Sequence, residues 1–316
     1  MKLQHKLLLL YGLCGLVILP VLGYFLTGEL KKGHLATIES GIVKQLENLD
    51  FSLATLIEDV KHGVRALAEN EGVQSRDDGN FTKFLDSDED QYEYHIGDTE
   101  QQIIDIFQLY RATHPHISSV YMGRENGSFV RSHKRHRPSL YDPRTRPWYT
   151  LAKDYPGTVM ITAPYRAVTT PDVNIGVVTA LMDDESGIYG VVGADITLAG
   201  LTEYISGYRI GAEGHMFLTD DSGNILACGD ESLRFMHLEN LVNDHAPTVI
   251  SQQSGSFMLE GGPNTQYVVY ITSPKLGWKI IAMIPMKRID RQVNAAVWAA
   301  LLIVCVGLAV FCSITL

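Results

Sequence analysis

Between positions 35 and 67, apolar residues recur every three or four positions, which is the spacing of one face of an α-helix. The stripe consists of Leu35, Ile38, Ile42, Leu46, Leu49, Leu53, Leu56, Val60, Val64 and Leu67. Charged residues occupy the other faces of this helix. Because such a stripe is usually buried, we expect it to pack against the modules that follow. Its membrane-near end could also form a dimer contact.

After Pro115 the pattern changes to the short runs that are typical of strands. Turn-forming residues separate these runs, as in Glu125-Asn126-Gly127, where Asn-Gly is expected to supply positive φ angles. The predicted strands are 117–122, 128–131, 158–163, 173–182 and 188–196 in a first unit, and 215–219, 224–228, 255–259, 266–272 and 278–284 in a second. Since hairpins rather than βαβ crossovers connect them, we predict an α+β protein with two antiparallel-sheet modules.

Apolar segments lie at both ends of the chain, at 7–26 and 295–316. Each is about long enough to cross a hydrocarbon core of ~30 Å as a helix. Lys2 and Lys6 precede the first segment, so the positive-inside rule places the N-terminus in the cytoplasm. A cleaved signal peptide is the alternative, but no A-x-A site follows the segment. We therefore expect two transmembrane helices with residues 27–294 outside the cytoplasm, and a cytoplasmic output domain that is absent from this sequence.

Composition excludes several classes of function. The formal net charge is −10, which argues against nucleic acid as a partner because phosphate binding needs a basic surface. Only Cys228 lies between the apolar ends, so no disulfide can form within the outer domain. His114 with His116, and His133 with His136, could be paired as metal ligands, but no cysteine or carboxylate stands at a supporting spacing. We find no phosphate-binding loop or nucleophile motif, so we expect no cofactor, no metal and no enzymatic activity in these residues.

The run Tyr141-Asp-Pro-Arg-Thr-Arg146-Pro-Trp148-Tyr149 concentrates aromatic rings, hydroxyls and guanidinium groups. Side chains of these kinds line pockets for small charged metabolites. Arginine in particular offers a planar pair of donors that matches a carboxylate. Asp142-Pro143 is typical of a turn, and we expect Arg144 to make structural contacts rather than ligand contacts.

Together with Ala163-Pro-Tyr165 and Val191-Val-Gly-Ala-Asp195-Ile, this run resembles the double-Cache (tandem PAS-like) sensor domains of bacterial chemoreceptors, sensor kinases and diguanylate cyclases. The resemblance covers about residues 27–290. It implies a homodimeric receptor in the bacterial inner membrane, with its sensor on the periplasmic side.

The same resemblance implies a division of the chain between its two predicted spans, 7–26 and 295–316. The expected parts are a signalling helix over 27–76, a membrane-distal Cache module over 77–205 that binds the ligand, and a membrane-proximal Cache module over 206–285.

Within this family the chain is most similar to members that bind amino acids. By that resemblance, Arg146 pairs the ligand carboxylate, with help from the Trp148 Nε1–H and the backbone around Tyr149. Asp195 pairs the ligand ammonium. The six expected ligand-binding residues are Tyr141, Arg146, Trp148, Tyr149, Tyr165 and Asp195.

Other roles for these residues stay open at this point. Trp148 could be a core residue, and Asp195 could cap the helix that begins near Thr197. Ala167 stands where amino-acid binders of the family often carry an acidic residue, which leaves an amine, a purine or a carboxylate open as the ligand. We therefore expect the sensory part of a receptor for a small metabolite, most simply an amino acid. The alternative is an outer domain that docks a periplasmic protein.

Overall fold

The computed structural model describes residues 3–86, 94–134, 140–168, 173–183, 187–208, 210 and 214–315. The α-helices in this part of the chain are Leu3–Ala68 (α1), Asp98–Thr113 (α2), Pro147–Asp154 (α3), Leu198–Ser206 (α4), Glu239–Val242 (α5), Ala246–Ser251 (α6) and Met286–Thr315 (α7). They surround two antiparallel sheets, which confirms the predicted α+β class with a long N-terminal helix.

The first sheet belongs to the module that is predicted to lie far from the membrane, and this unit is called the distal module. Its strands are Ser119–Arg124 (β1), Phe129–Arg131 (β2), Met160–Ile161 (β3), Tyr165–Arg166 (β4), Val173–Met182 (β5) and Ile188–Thr197 (β6). They lie in the order β2-β1-β6-β5-β3, with β4 paired to β5. In this register Asp195 of β6 stands between Ser119 of β1 and Gly176 of β5. The sheet therefore surrounds Asp195 with neighbouring strands on both sides.

The second sheet belongs to the module that is predicted to lie near the membrane, and this unit is called the proximal module. Its strands are His215–Thr219 (β7), Ile225–Cys228 (β8), Ser254–Leu259 (β9), Gln266–Thr272 (β10) and Lys279–Pro285 (β11). They lie in the order β8-β7-β11-β10-β9, and all neighbours are antiparallel. Helix α7 begins at Met286, directly after the central strand β11, so the sheet and this helix are continuous in the chain.

The apolar stripe of α1 is the surface on which both modules pack. Leu46, Leu53 and Val64 are completely buried, and they belong to one continuous core that includes residues of both sheets. Polar contact reinforces this packing where the Tyr267 hydroxyl donates to Glu39 Oε2 at 2.6 Å. The stripe thus forms the predicted docking face over these residues. Burial of its apolar side chains is the main contribution to the free energy that holds the modules on the helix.

The Asn-Gly turn differs in detail from the prediction. Only Gly127 has a positive φ, of 84°, whereas Asn126 does not. Asn126 instead turns the chain through its side chain, because its Oδ1 accepts a hydrogen bond from the Ser128 amide at 2.9 Å. This is an Asx turn, which needs one left-handed residue where the predicted hairpin turn needs two.

Helix α7 contains a segment that is long and apolar enough to cross a membrane, Ile289–Gly307. This segment overlaps the predicted span at 295–316. The other predicted span, 7–26, lies within the helical backbone of α1, but its side chains lie almost entirely outside the described residues. Two transmembrane helices accordingly stay a prediction.

Candidate functional site

A cavity with an empty volume of about 430 Å³ opens on one face of the distal sheet. Strands β1, β2, β5 and β6 form its floor, and the segment 141–149 covers one side. Its walls combine aromatic and charged side chains and are formed by Ser119, Tyr121, Phe129, Arg131, Tyr141, Arg146, Trp148, Tyr165, Ala167, Val168, Asn174 and Asp195. Concave sites with few, convergent polar groups are typical of small-molecule binding.

Asp195 lies at the buried end of this cavity and is held by three hydrogen bonds. Its Oδ1 accepts from the hydroxyls of Tyr121 and Tyr165, each at 2.6 Å. Its Oδ2 accepts from the Asn174 amide at 2.8 Å. Burial raises the pKa of Asp195 to about 6, against the opposing effect of these donors and of Arg131. The carboxylate is therefore mostly ionised at neutral pH and fixed in direction.

The alternative of Asp195 as a helix cap is wrong. Thr197 caps α4, because its Oγ1 accepts from the Gly200 amide at 3.0 Å. The Asp195 side chain instead points away from that helix into the cavity lining. Its neighbours Tyr121 and Tyr165 keep their protons, since burial and the nearby Asp195 raise the pKa of both hydroxyls well above the ordinary value.

The segment 141–149 is shaped by its own local contacts. Asp142 Oδ1 accepts from the backbone amide of Arg144 at 3.0 Å, and the Arg144 side chain pairs with Asp142 Oδ2 at 2.8 Å. These bonds close a 3-10 turn, after which α3 starts at Pro147, a residue suited to a first helical turn. As predicted, Asp142-Pro143 and Arg144 are structural. The segment can lie against the sheet because Gly123 has no side chain: a Cβ there would stand 2.8 Å from Pro143 and 2.9 Å from Trp148.

Arg146 and Trp148 reach the cavity from the start of α3. One terminal nitrogen of Arg146, Nη2, donates to the backbone oxygen of Arg166 at 3.0 Å, which ties the side chain to β4. Trp148 is only 2% exposed and packs on Tyr121 with ring centroids 4.8 Å apart. Trp148 is thus both a core residue and a wall of the cavity.

Tyr149 does not line the cavity. Its side chain is fully buried on another face of α3, and its hydroxyl donates to Glu125 Oε1 at 3.0 Å. Glu125 in turn pairs with Lys153 at 2.9 Å. Of the six residues predicted for the site, the structure brings five to the cavity: Tyr141, Arg146, Trp148, Tyr165 and Asp195. The sequence argument did not identify Tyr121, Arg131 and Asn174, although the alternation of β1 and β2 could have indicated the first two.

Arg131 is a second guanidinium in this cavity. Its Nε donates to Ser119 Oγ at 2.8 Å. Burial lowers the pKa of Arg131, while Asp195 and three tyrosine hydroxyls of the cavity oppose that effect. The described lining of the cavity thus holds two cationic side chains and one carboxylate, and this arrangement can bind a charged small molecule. Among the residues the structure describes, no group of three or more His, Cys, Asp or Glu side chains could hold a metal ion.

The family model for the Cache domain, dCache_1, matches residues 27–293, which is most of the chain. The chain belongs to the Cache domain family. This agrees with the two sheets on a long helix and with the resemblance drawn from the 141–149 run.

Relatives of this Cache domain carry names from chemotaxis. A probable methyl-accepting chemotaxis protein of Bacillus thuringiensis subsp. konkukian is 27% identical over 218 residues, or 67% of this chain and 31% of the relative. McpG of Pseudomonas putida, a methyl-accepting chemotaxis protein, is 35% identical over 134 residues, or 42% of this chain and 21% of the relative. The chain therefore spans less than a third of the length of these relatives.

A solved structure has the same fold over most of the Cache domain. The ligand-binding domain of Mlp24 with asparagine has a TM-score of 0.64 at 16% identity and covers 84% of this chain and 99% of its own. At this level of identity, the likeness establishes the fold and leaves the ligand to be argued from the cavity.

Proposed function

We propose that this chain is the sensor part of a bacterial transmembrane chemotaxis receptor, and that the cavity of its distal module binds a small α-amino acid. The observation that carries the proposal is that Arg146 and Asp195 line one cavity. An α-amino acid carries a carboxylate and an ammonium on a single carbon. A guanidinium and a carboxylate in one small space are complementary to both of these charges.

The hydrogen bonds already present support these two roles. Nη2 of Arg146 is engaged by the Arg166 carbonyl, which orients the guanidinium and leaves its other N–H groups for a ligand carboxylate. Asp195 accepts three hydrogen bonds, and a carboxylate has about four acceptor positions, so one remains for an ammonium. Trp148 and Tyr141 limit the access of water, which strengthens each charge-assisted bond.

The names of the relatives agree with this proposal. The first relative is called a probable methyl-accepting chemotaxis protein, and the structural neighbour Mlp24 was solved with asparagine in its ligand-binding domain. This chain spans 31% of the length of the first relative. The cytoplasmic output domain that would receive its signal is therefore also part of the proposal.

We infer a relay that runs from the distal module to the membrane. Both modules share one core with α1, and α7 continues from the central strand of the proximal sheet. Ligand-driven movement of the modules on α1 would shift α7, and with it the apolar segment Ile289–Gly307. A ligand can drive this only to the extent that it binds the two states with different affinity.

A thermal-shift screen of the full chain in lipid nanodiscs tests the proposed ligand class. The panel contains α-amino acids, amines, purines and dicarboxylates. We expect α-amino acids to stabilise the protein, because a ligand at ~100-fold saturation adds about 2.7 kcal/mol to the folded state. Stabilisation by amines or purines alone would contradict the carboxylate role of Arg146. The absence of any hit would favour docking of a periplasmic protein.

A further inference from the structure

We propose that Arg131 makes this cavity selective for acidic α-amino acids, whose side-chain carboxylate it binds. The proposal rests on the proposed function, because it assumes that Arg146 and Asp195 hold the α-carboxylate and the α-ammonium. It adds the chemical class of the side chain and the residue that selects it. Arg131 belongs to no part of the 141–149 run and comes to the cavity from a different strand, β2.

The Arg131 guanidinium is positioned but not neutralised. Its Nε donates to Ser119 Oγ at 2.8 Å, and that hydroxyl stands on the strand beside Asp195. No carboxylate lies within ion-pair distance of Arg131 among the residues described. Its two terminal nitrogens have no acceptor in that part of the chain, although they are not sealed away from solvent. They form a planar pair of donors, which is the arrangement that binds a carboxylate through two bonds.

Arg131 also stands where the ligand cavity meets a second one. This second cavity has an empty volume of about 490 Å³ and shares Phe129 and Arg131 with the first. Its buried carboxylate, Glu100, is occupied by Thr82, whose backbone amide and hydroxyl both donate to Oε2. No ion pair joins Glu100 to Arg131 among the described residues, and burial and Thr82, rather than Arg131, shift the pKa of Glu100. The guanidinium is left at the margin of the ligand cavity, where a side chain that extends beyond the α-carbon could reach it.

The charge balance of the cavity favours an anionic ligand. Among the residues that the structure describes, its lining has two guanidinium groups, Arg131 and Arg146, and one carboxylate, Asp195. A neutral zwitterion would match Arg146 and Asp195 and would leave the partly desolvated Arg131 with only the charge of Asp195, which it would then share with the ligand ammonium. Ala167 and Val168, which also line the cavity, supply no carboxylate. An amino acid with a second carboxylate gives every charged group a partner.

Calorimetric titration of the full chain in nanodiscs with L-aspartate, L-asparagine, L-glutamate and L-glutamine tests this proposal. Each acid differs from its amide only in the charge of the side-chain group. We expect the better acid to bind at least about tenfold more tightly than its amide, because hydrogen bonds to a charged group are stronger than those to a neutral group. Arg131→Gln should remove this preference, and Arg131→Lys should retain part of it.

Lys134→Gln is the matched control. Lys134 lines the second cavity but not the first, so its loss removes a nearby positive charge without touching the ligand. The preference for the acid should survive in this variant. If it disappears equally in the Lys134 and Arg131 variants, general electrostatic attraction explains it and the role of Arg131 is wrong.

Failure of this proposal can be told apart from failure of the proposed function. Amides that bind the wild-type protein as tightly as their acids would overturn the selectivity and leave the amino-acid receptor intact, even if Arg131→Gln did not fold. Succinate binding as tightly as aspartate would overturn the proposal and the ammonium role of Asp195. No binding of any α-amino acid would overturn both proposals.

Discussion

The Tyr165 hydroxyl donates to Asp195 Oδ1 at 2.6 Å, and the Tyr121 hydroxyl donates to the same oxygen at the same distance. The hydroxyls of two buried tyrosines thus both donate to one carboxylate oxygen. Asp195 itself lies on β6, between strands β1 and β5. The hydroxyls stabilise the ionised form of Asp195, while its burial favours the protonated form and raises its pKa to about 6. The charge of Asp195, and with it the net charge of the cavity, therefore changes with pH around 6.

Ligand binding should weaken as pH falls below about 6, because a protonated Asp195 cannot pair with an ammonium. Well below the pKa, the dissociation constant should rise about tenfold for each pH unit. Titrations between neutral pH and mildly acidic pH measure this. In Asp195→Asn the residual binding should not show this pH dependence, and an unchanged profile in that variant would assign the titration to another group.

The unliganded protein should become more stable when Asp195 is replaced by Asn. The pKa of Asp195 is raised from 3.8 to about 6, so the folded state binds a proton more readily than the unfolded state. This contribution is most favourable below the unfolded pKa and is lost as pH rises through about 6, at a cost of up to about 3 kcal/mol at neutral pH. Asparagine removes that cost, and the buried Oδ1 of Asn174, which has no hydrogen-bond partner among the described residues, can accept from the new amide if Asn174 rotates.

Thermal unfolding of the two proteins without ligand checks this prediction. The unfolding midpoint of Asp195→Asn should exceed that of the wild type at neutral pH. The difference should shrink as pH falls towards about 4, the ordinary pKa of an aspartate carboxyl group. A lower midpoint at all pH values would mean that the carboxylate is needed for folding rather than for ligand.

Tyr165→Phe and Tyr149→Phe form a matched pair. Each removes only the hydroxyl of a tyrosine that was predicted to belong to the site. Loss of the Tyr165 hydroxyl removes a donor from Asp195, so the pKa of Asp195 should rise and the pH midpoint of binding should move upward. Loss of the Tyr149 hydroxyl breaks a bond to Glu125, outside the cavity, and should leave binding within about twofold of wild type. Calorimetry over a pH series measures both effects, and equal losses in the two variants would contradict this placement of the cavity.

Disulfide crosslinking between α1 and α7 tests the relay. Cysteines are placed on α1 near Leu35 and on α7 near Val297, which belong to the same packed cluster, in a background that lacks the native cysteines. If the ligand displaces α7 along α1, the rates of crosslinking at neighbouring positions should change in opposite directions when ligand is added. Identical rates with and without ligand across the series would count against the relay.

Much of the distal site could be predicted because its chemistry is concentrated in one run of sequence. Arg146 and Trp148 lie within 141–149, and Asp195 lies in a second recognisable run. Asn174 lies in no such run, and Arg131 is indicated only by the alternation of its strand. They reach the cavity only through the antiparallel register that sets β1 and β5 on either side of β6, with β2 beside β1, and this pairing joins residues far apart in sequence.

The role of Tyr149 was harder to predict for a local reason. Adjacent residues of a helix point about 100° apart, because a turn contains 3.6 residues. Trp148 and Tyr149 therefore cannot both face one cavity from α3, and the structure assigns the cavity to Trp148. The sequence patterns predict no secondary structure for residues 146–149 and so could not make this distinction, whereas the strands and the stripe of α1 follow periods that sequence alone displays.

Calorimetric titration of the wild-type chain and of Arg146→Ala with the best amino acid from the screen tests the central claim most directly. Arg166→Ala is the control. It removes an exposed guanidinium but keeps the backbone oxygen of residue 166, which accepts the hydrogen bond that orients Arg146. We predict that Arg146→Ala weakens binding about 100-fold, as expected for loss of a charge-assisted pair, while Arg166→Ala binds like wild type. Wild-type affinity in Arg146→Ala would contradict the account of this cavity as an amino-acid site.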